Sequence, residues 1–314
     1  MTKSVTLIFP GQGSQYVGMG QAYSNEFKYY LDLADKALGY SLTSIIQNGP
    51  EEELKLTYNT QPAIVAYSTF LYQKLLPIFN EKNIKIDRVL GHSVGEFSAL
   101  VAANSISFEN AIKTVHYRGK FMQESVPLGT GKMFAIMKVP ADIVRKACTA
   151  VSSEAENVMP ANFNGPNQIV ISGHASACES AVGWIKNNFT GSHRAIELKV
   201  SAPFHSSLMK NAADQLNNYL NKIEIQENLY PYIANVDAKE YLTGTSSTVI
   251  QNNLFTQVAG SVLWEQSFNL LEDNTICIEV GPGKVLSGLS KKINPSINVI
   301  SLDKEESWNQ IKDL

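Results

Sequence analysis

Short apolar runs alternate with longer stretches of helical periodicity along the chain, a pattern that predicts an α/β fold with a mostly parallel sheet. Val5–Phe9 is apolar enough for a buried strand and stops at Pro10-Gly11. From Gln61 to Leu76, Ile64, Tyr67, Leu71 and Leu75 recur at helical spacing, and Pro77 is expected to end that helix. Arg88-Val89-Leu90 predicts a second strand, which runs straight into Gly91-His92-Ser93-Val94-Gly95. A helix is expected over Val94 to Ala103. Ser107 has the chemistry of an N-cap for another reaching about Ser125, with Ile112, Val115, Gly119 and Met122 on one face.

Pro127-Leu128-Gly129-Thr130-Gly131 breaks the pattern and reads as a hinge. A compact cassette follows, with strand Met133–Val139, helix Ala141–Val151, strand Gln168–Ser172, helix Ser176–Asn187 and strand Ala195–Val200. This order suits a small ferredoxin-like subdomain over 131–199, inserted into a hydrolase-like large subdomain formed by 1–130 and 200–314. The chain then returns through Ser201–His205 to a helix, a strand at Tyr232–Val236 and another helix. A late strand, Thr275–Val280, turns at Gly281-Pro282-Gly283 into a last helix, and the tail after Ile300 reads as a loosely attached end.

Composition narrows the function classes. The chain has 314 residues, 44% hydrophobic and 18% charged, enough for a packed core. A formal net charge of −3 gives no electrostatic footprint for nucleic acid or an anionic membrane, and no apolar run approaches membrane-spanning length. Cys148, Cys178 and Cys277 are far apart, odd in number and form no metal-ligand pair. A soluble, cytoplasmic monomer without metal or cofactor is expected.

Gly91-x-Ser93-x-Gly95 between a strand and a helix has the form of a nucleophile elbow. A sharp turn there lifts a serine oxygen out of the sheet. Glycines on either side let the backbone pass without Cβ clashes. The following helix aims backbone N–H groups at a reacting carbonyl, which makes the Val94 N–H a candidate oxyanion donor. A serine needs a base. Of His92, His116, His174, His193 and His205, only the last sits in a loop returning to the main sheet. The order of residues argues against an ordinary α/β-hydrolase, in which an acid and then a late histidine follow the serine. With no acid standing out between Ser93 and His205, a backbone carbonyl or amide is the expected partner of the imidazole. Gly11-Gln12-Gly13-Ser14-Gln15-Tyr16 fails as a dinucleotide fingerprint. Tyr16 occupies the third glycine position, and Asp32 and Asp35 lie in helix-like sequence. The loop reads better as a rigid turn over the sheet edge that brings Gln12 to face Ser93.

Together these pieces resemble the malonyl-CoA:acyl-carrier-protein transacylase family, including the stand-alone acyltransferases of polyketide synthases. The resemblance runs nearly the whole length. It rests on Phe9-Pro10-Gly11-Gln12-Gly13-Ser14-Gln15, Thr60-Gln61-Pro62-Ala63, Gly91-His92-Ser93-Val94-Gly95-Glu96 and Tyr117-Arg118-Gly119-Lys120-Phe121-Met122-Gln123. Ala161-Asn162-Phe163-Asn164-Gly165, Ala202-Pro203-Phe204-His205-Ser206, Ala234-Asn235-Val236 and Glu279-Val280-Gly281-Pro282-Gly283 extend it. What the resemblance implies is a malonyl group passed from malonyl-CoA to the phosphopantetheine thiol of an acyl carrier protein, in fatty-acid or polyketide synthesis. Ser93 would be the nucleophile, His205 its base, and Gln257 the residue that orients His205 through its carbonyl. Gln12 and Val94 would supply oxyanion donors. Arg118 would bind the free malonyl carboxylate, with Gln61, Met122, Asn162 and Phe204 around it. The family often has proline and arginine before the tryptophan that follows Gln257, whereas this chain reads Ala259-Gly260-Ser261-Val262-Leu263-Trp264.

A guanidinium grips a carboxylate with two charge-assisted hydrogen bonds, and a thioester without that carboxylate leaves the arginine unpaired. Phe204 beside His205 is expected to crowd an α-methyl group and so to favour malonyl over methylmalonyl. Two rivals share parts of this pattern. An acyl hydrolase that clears carrier proteins has the elbow and histidine but no need of Arg118, and a silent docking domain needs none of the three.

Overall fold

The computed structural model describes residues 3–314. Its larger sheet has six strands in the order β10-β9-β1-β2-β7-β8. These are β1 (Ser4–Phe9), β2 (Lys85–Gly91), β7 (Tyr232–Ile233), β8 (Glu240–Tyr241), β9 (Ile276–Glu279) and β10 (Asn298–Ser301). Neighbours run parallel except where β8 turns back on β7. The central strands β1, β7 and β9 and the carboxyl half of β2 are buried on both faces, as parallel sheets require, while the edge strands β8 and β10 are partly exposed. Val5, Leu7, Phe9, Val89, Tyr232 and Ile278 point into one apolar cluster, while Ile8, Leu90, Ile233 and Cys277 point into another.

The smaller sheet is antiparallel, in the order β4-β5-β3-β6, formed by β3 (Gly131–Met137), β4 (Val158–Gly165), β5 (Gln168–His174) and β6 (Arg194–Glu197). Helices Ala141–Val151 and Ala175–Asn188 cover it around a core of its own. The chain order here is β-α-β-β-α-β, one strand more than the sequence pattern predicts. The extra strand, β4, carries Pro160, Asn162 and Asn164, and its pairing with β5 shifts register between Pro160 and Asn162 and again between Phe163 and Gly165. Those irregularities erase the alternation that marks a strand in sequence, and irregular pairing of this kind re-aims side chains.

Three further expectations are corrected. The helix expected to stop at Pro77 spans Thr57–Lys82 and ends at Asn83, in the left-handed region with φ 53°. Pro77 and Gln73 are both exposed, so the carbonyl that loses its helical donor can be hydrated. Pro62 deprives the Tyr58 carbonyl of its donor in the same way, and there His116 Nδ1 approaches to 3.0 Å and replaces it. The tail after Ile300 is docked: Leu302, Trp308 and Ile311 are buried, and helix Ser307–Lys312 closes the chain. Helix Val285–Ile293 is therefore not the last. Its first turn donates Leu286 and Ser287 N–H to the buried carboxylate of Glu279, which also accepts from Ser301 Oγ at 2.7 Å. No helix among the described residues is long and apolar enough to cross a membrane.

Helix Phe108–Glu124 lies against helix Thr57–Lys82, as close neighbours at Gly119. A Cβ at Gly119 would stand 2.7 Å from the Thr57 carbonyl oxygen. That contact admits only glycine, and it brings Arg118 and Gln61 face to face.

Candidate active site

The site begins at the carboxyl end of β2, the edge where open α/β sheets place ligands. Gly91 and Gly95 flank the turn because nothing larger fits. A Cβ on Gly91 would lie 2.0 Å from the Gly95 carbonyl, and one on Gly95 would lie 2.2 Å from the Phe9 carbonyl. Ser93 between them takes φ 53°, a left-handed conformation that costs free energy in a non-glycine residue and is held by its surroundings. Asn235, 1% exposed, supplies much of that hold. Its Oδ1 accepts Ser93 N–H at 2.7 Å, and its Nδ2 donates to the Gly91 carbonyl at 2.6 Å.

Ser93 Oγ lies 2.7 Å from His205 Nε2. His205 also has a positive φ, 55°, and its Nδ1 is 2.9 Å from the Gln257 carbonyl and 3.2 Å from that of Gly260. Two carbonyl acceptors mean that Nδ1 carries the proton and Nε2 is left as an acceptor for the serine. The Gly260 carbonyl comes from the segment where this chain departs from the family pattern. Burial, reinforced by the Arg118 charge, pushes the His205 imidazole down to about 3, so it is neutral over the whole working range of pH.

Arg118 is 1% exposed. One terminal nitrogen donates to Gln61 Oε1 at 2.9 Å, and the other donates to Gln257 Oε1 at 2.8 Å and Ser93 Oγ at 3.2 Å. Burial lowers its pKa to about 10, opposed by Glu96, so the guanidinium stays charged at neutral pH. Its Nε has no partner. The guanidinium is thus a buried cation whose direct hydrogen-bond acceptors are all neutral, with Nε unused.

These groups open into one cavity of about 180 Å³. Of the residues singled out in the sequence, Gln12, Gln61, Ser93, Val94, Arg118, Met122, Asn162, Phe204 and His205 all line it. Gln257 stands behind the wall, fully buried, and reaches the others through its carbonyl and amide. The small sheet contributes Met133, Val170 and Asn162, so the cavity lies between the two sheets. Gln12 and Val94 N–H take part in none of the turn and loop hydrogen bonds among the described residues. His116 serves helix geometry, and His174 bonds locally to Asn157.

Four participants were not assigned a role in the sequence. His92 lines the cavity and bonds Asn164 at 2.8 Å; Asn235 and Glu96 brace the elbow from beneath. All four sit inside the quoted motif blocks, but nothing about an isolated asparagine or glutamate distinguishes a buried brace from a solvated surface residue.

The acyl transferase domain model matches residues 6–287. Malonyl CoA-acyl carrier protein transacylase of Bacillus subtilis (strain 168) is 43% identical over 308 residues, 96% of this chain and 94% of that protein. The enzyme of the same name from Haemophilus influenzae is 39% identical over 99% of both chains. The chain belongs to the malonyl-CoA:acyl carrier protein transacylase family. Solved members of the family superpose closely. One is a malonyl-transacylase in complex with its type II PKS acyl-carrier protein, with TM-score 0.90, 36% identity and 99% of both chains covered. The Coxiella burnetii transacylase gives TM-score 0.92 at 33% identity, covering 100% of this chain and 98% of that one. Within this transacylase framework, the large parallel sheet with a small antiparallel one is the expected fold.

Proposed function

We propose that this chain transfers malonyl groups from malonyl-CoA to the phosphopantetheine thiol of an acyl carrier protein through a malonyl ester on Ser93. One observation carries the proposal: Ser93 Oγ lies within hydrogen-bond reach of both His205 Nε2 and an Arg118 terminal nitrogen, in one cavity. The names of the relatives support the substrates, and the acyl-carrier protein bound to a related malonyl-transacylase supports the partner class. The pathway is fatty-acid or polyketide synthesis.

The malonyl carboxylate docks on Arg118, flanked by Gln61 and Met122, and its thioester carbon comes to Ser93. His205 Nε2 takes the serine proton as the Ser93 Oγ–carbon bond forms. The oxyanion rests on the N–H groups of Gln12 and Val94. The carbon–sulfur bond then breaks, the His205 imidazolium returns its proton to the departing coenzyme A thiol, and malonyl-Ser93 remains. In the second half His205 accepts the proton of the phosphopantetheine thiol, whose sulfur attacks the ester, and the serine regains its proton. Coenzyme A leaves before the carrier reacts, which makes the kinetics ping-pong. Every proton and charge in the cycle is handled by a named group of the chain, so no metal or cofactor enters the proposal.

Hydrolysis of carrier-bound acyl groups is the competing use of the same serine and histidine. Presented with malonyl-CoA, the transferase is expected to pass most of its malonyl groups to the free phosphopantetheine thiol of an unacylated carrier when one is supplied. Free malonate as the main product in the presence of carrier would favour the hydrolase instead.

A further inference from the structure

Glu96 lies one helical turn beyond the nucleophile, is 1% exposed, and takes no part in the cycle above. Its Oε2 accepts Gln257 Nε2 at 2.6 Å and Asn235 N–H at 3.2 Å. Gln257 Nε2 also donates to the Ser93 carbonyl at 3.1 Å, while its Oε1 accepts from Arg118. The amide therefore has one permitted orientation. Arg118 offers only donors and needs the oxygen; Glu96 and the Ser93 carbonyl offer acceptors and need the nitrogen. Gln61 holds the other side of the guanidinium.

We infer that Glu96 is a specificity-determining positioning residue: it orients the Gln257 amide, and through that amide it sets the Arg118 guanidinium where a malonyl carboxylate meets it. The inference rests on Arg118 being the carboxylate receptor. What matters is the reach of an acceptor oxygen rather than its charge. Burial pushes the Glu96 carboxyl up to about 7, so near neutral pH a large fraction is protonated and still offers an accepting oxygen. No carboxylate oxygen of Glu96 comes within ion-pair distance of Arg118 among the described residues, and the link between them runs through Gln257. If the amide loses its anchor it can turn, presenting donor to donor at Arg118. The loss then falls on donors that need the guanidinium and spares those that do not.

Two near-isosteric variants separate reach from charge. Glu96→Gln keeps the side-chain length and an accepting oxygen while removing the charge. Glu96→Asp keeps the charge but withdraws the oxygen by one methylene. The measurement is the ratio of kcat/KM for malonyl-CoA to that for acetyl-CoA at neutral pH, with Arg118→Ala run alongside. Glu96→Asp is expected to lower the ratio about tenfold, and Glu96→Gln to hold it within about threefold of the unmodified chain, the scale of one buried hydrogen bond lost or kept. Reversal of that order, or an unchanged ratio in Glu96→Asp, including parallel losses with both donors in that variant, would overturn the inference. If Arg118→Ala itself leaves the ratio untouched, the receptor reading fails instead, and the two failures are distinguishable.

Discussion

Replacing Arg118 by alanine is expected to cut kcat/KM for malonyl-CoA by about a thousandfold, close to the 3–5 kcal/mol lost when one partner of a buried charge pair is removed. The same change is expected to leave acetyl-CoA little affected or improved. The asymmetry follows from what surrounds the guanidinium. In the free enzyme Arg118 is held by the side-chain oxygens of Gln61 and Gln257 and by Ser93 Oγ, all neutral, with Nε unpartnered. A malonyl carboxylate supplies the missing anion. An acetyl group does not, and in the unmodified enzyme it leaves the guanidinium with no carboxylate in direct contact, only the more distant Glu96. With alanine at 118 neither donor meets that penalty, so selectivity collapses from the malonyl side. Steady-state kinetics with the two thioesters reads this directly. Equal losses for both donors would assign Arg118 to the framework instead of to the substrate.

The second large effect concerns His205. Removing it as alanine is expected to slow acylation of Ser93 by about 10³-fold, within the range general-base catalysis supplies. The pH profile of the unmodified enzyme carries a sharper signature. A base acts when deprotonated, and an imidazole held at about 3 by burial and the Arg118 charge is deprotonated at every pH from 8 down to 5. kcat/KM for malonyl-CoA is therefore expected to stay level across that interval on account of this group. An unperturbed histidine, with its pKa near 6.5, would lose about tenfold in active form by pH 5.5. Single-turnover acylation rates across the interval distinguish the two. The sign for folding is consistent with this. The unfolded chain binds a proton at His205 below about 6.5 and the folded chain does not, so this residue makes stability fall as pH drops from 6.5 towards 3.

Much of this arrangement was legible in the sequence because it depends on steric exclusion. Gly91 and Gly95 announce an elbow since a Cβ at either would collide with backbone. The parallel strands announce themselves as short apolar runs because both faces of the sheet are covered. Strand β4 was not legible, because its irregular pairing and its polar residues serve the cavity rather than the sheet. Pro77 misled for a different reason. A proline on an exposed helix face costs one hydrogen bond that water replaces, and the buried face carries the helix past it. The docked tail hides in its own brevity, since Trp308 and Ile311 make one apolar patch on a single turn and a half of helix. The braces beneath the elbow were the least visible. Asn235 and Glu96 are buried polar groups whose partners lie 139 or more residues away along the chain, and only the folded backbone brings them together. Gln257 sits between these cases: the sequence resemblance pointed to its carbonyl, while its side-chain bridge between Arg118 and Glu96 emerges only in three dimensions.

Intact-protein mass spectrometry after a brief exposure to malonyl-CoA, without carrier, tests the covalent cycle most directly. One malonyl increment is expected on the unmodified chain, lost on adding a carrier thiol, and no increment on Ser93→Ala. An unmodified chain that gains nothing, or a Ser93→Ala chain that still gains the group, would contradict it.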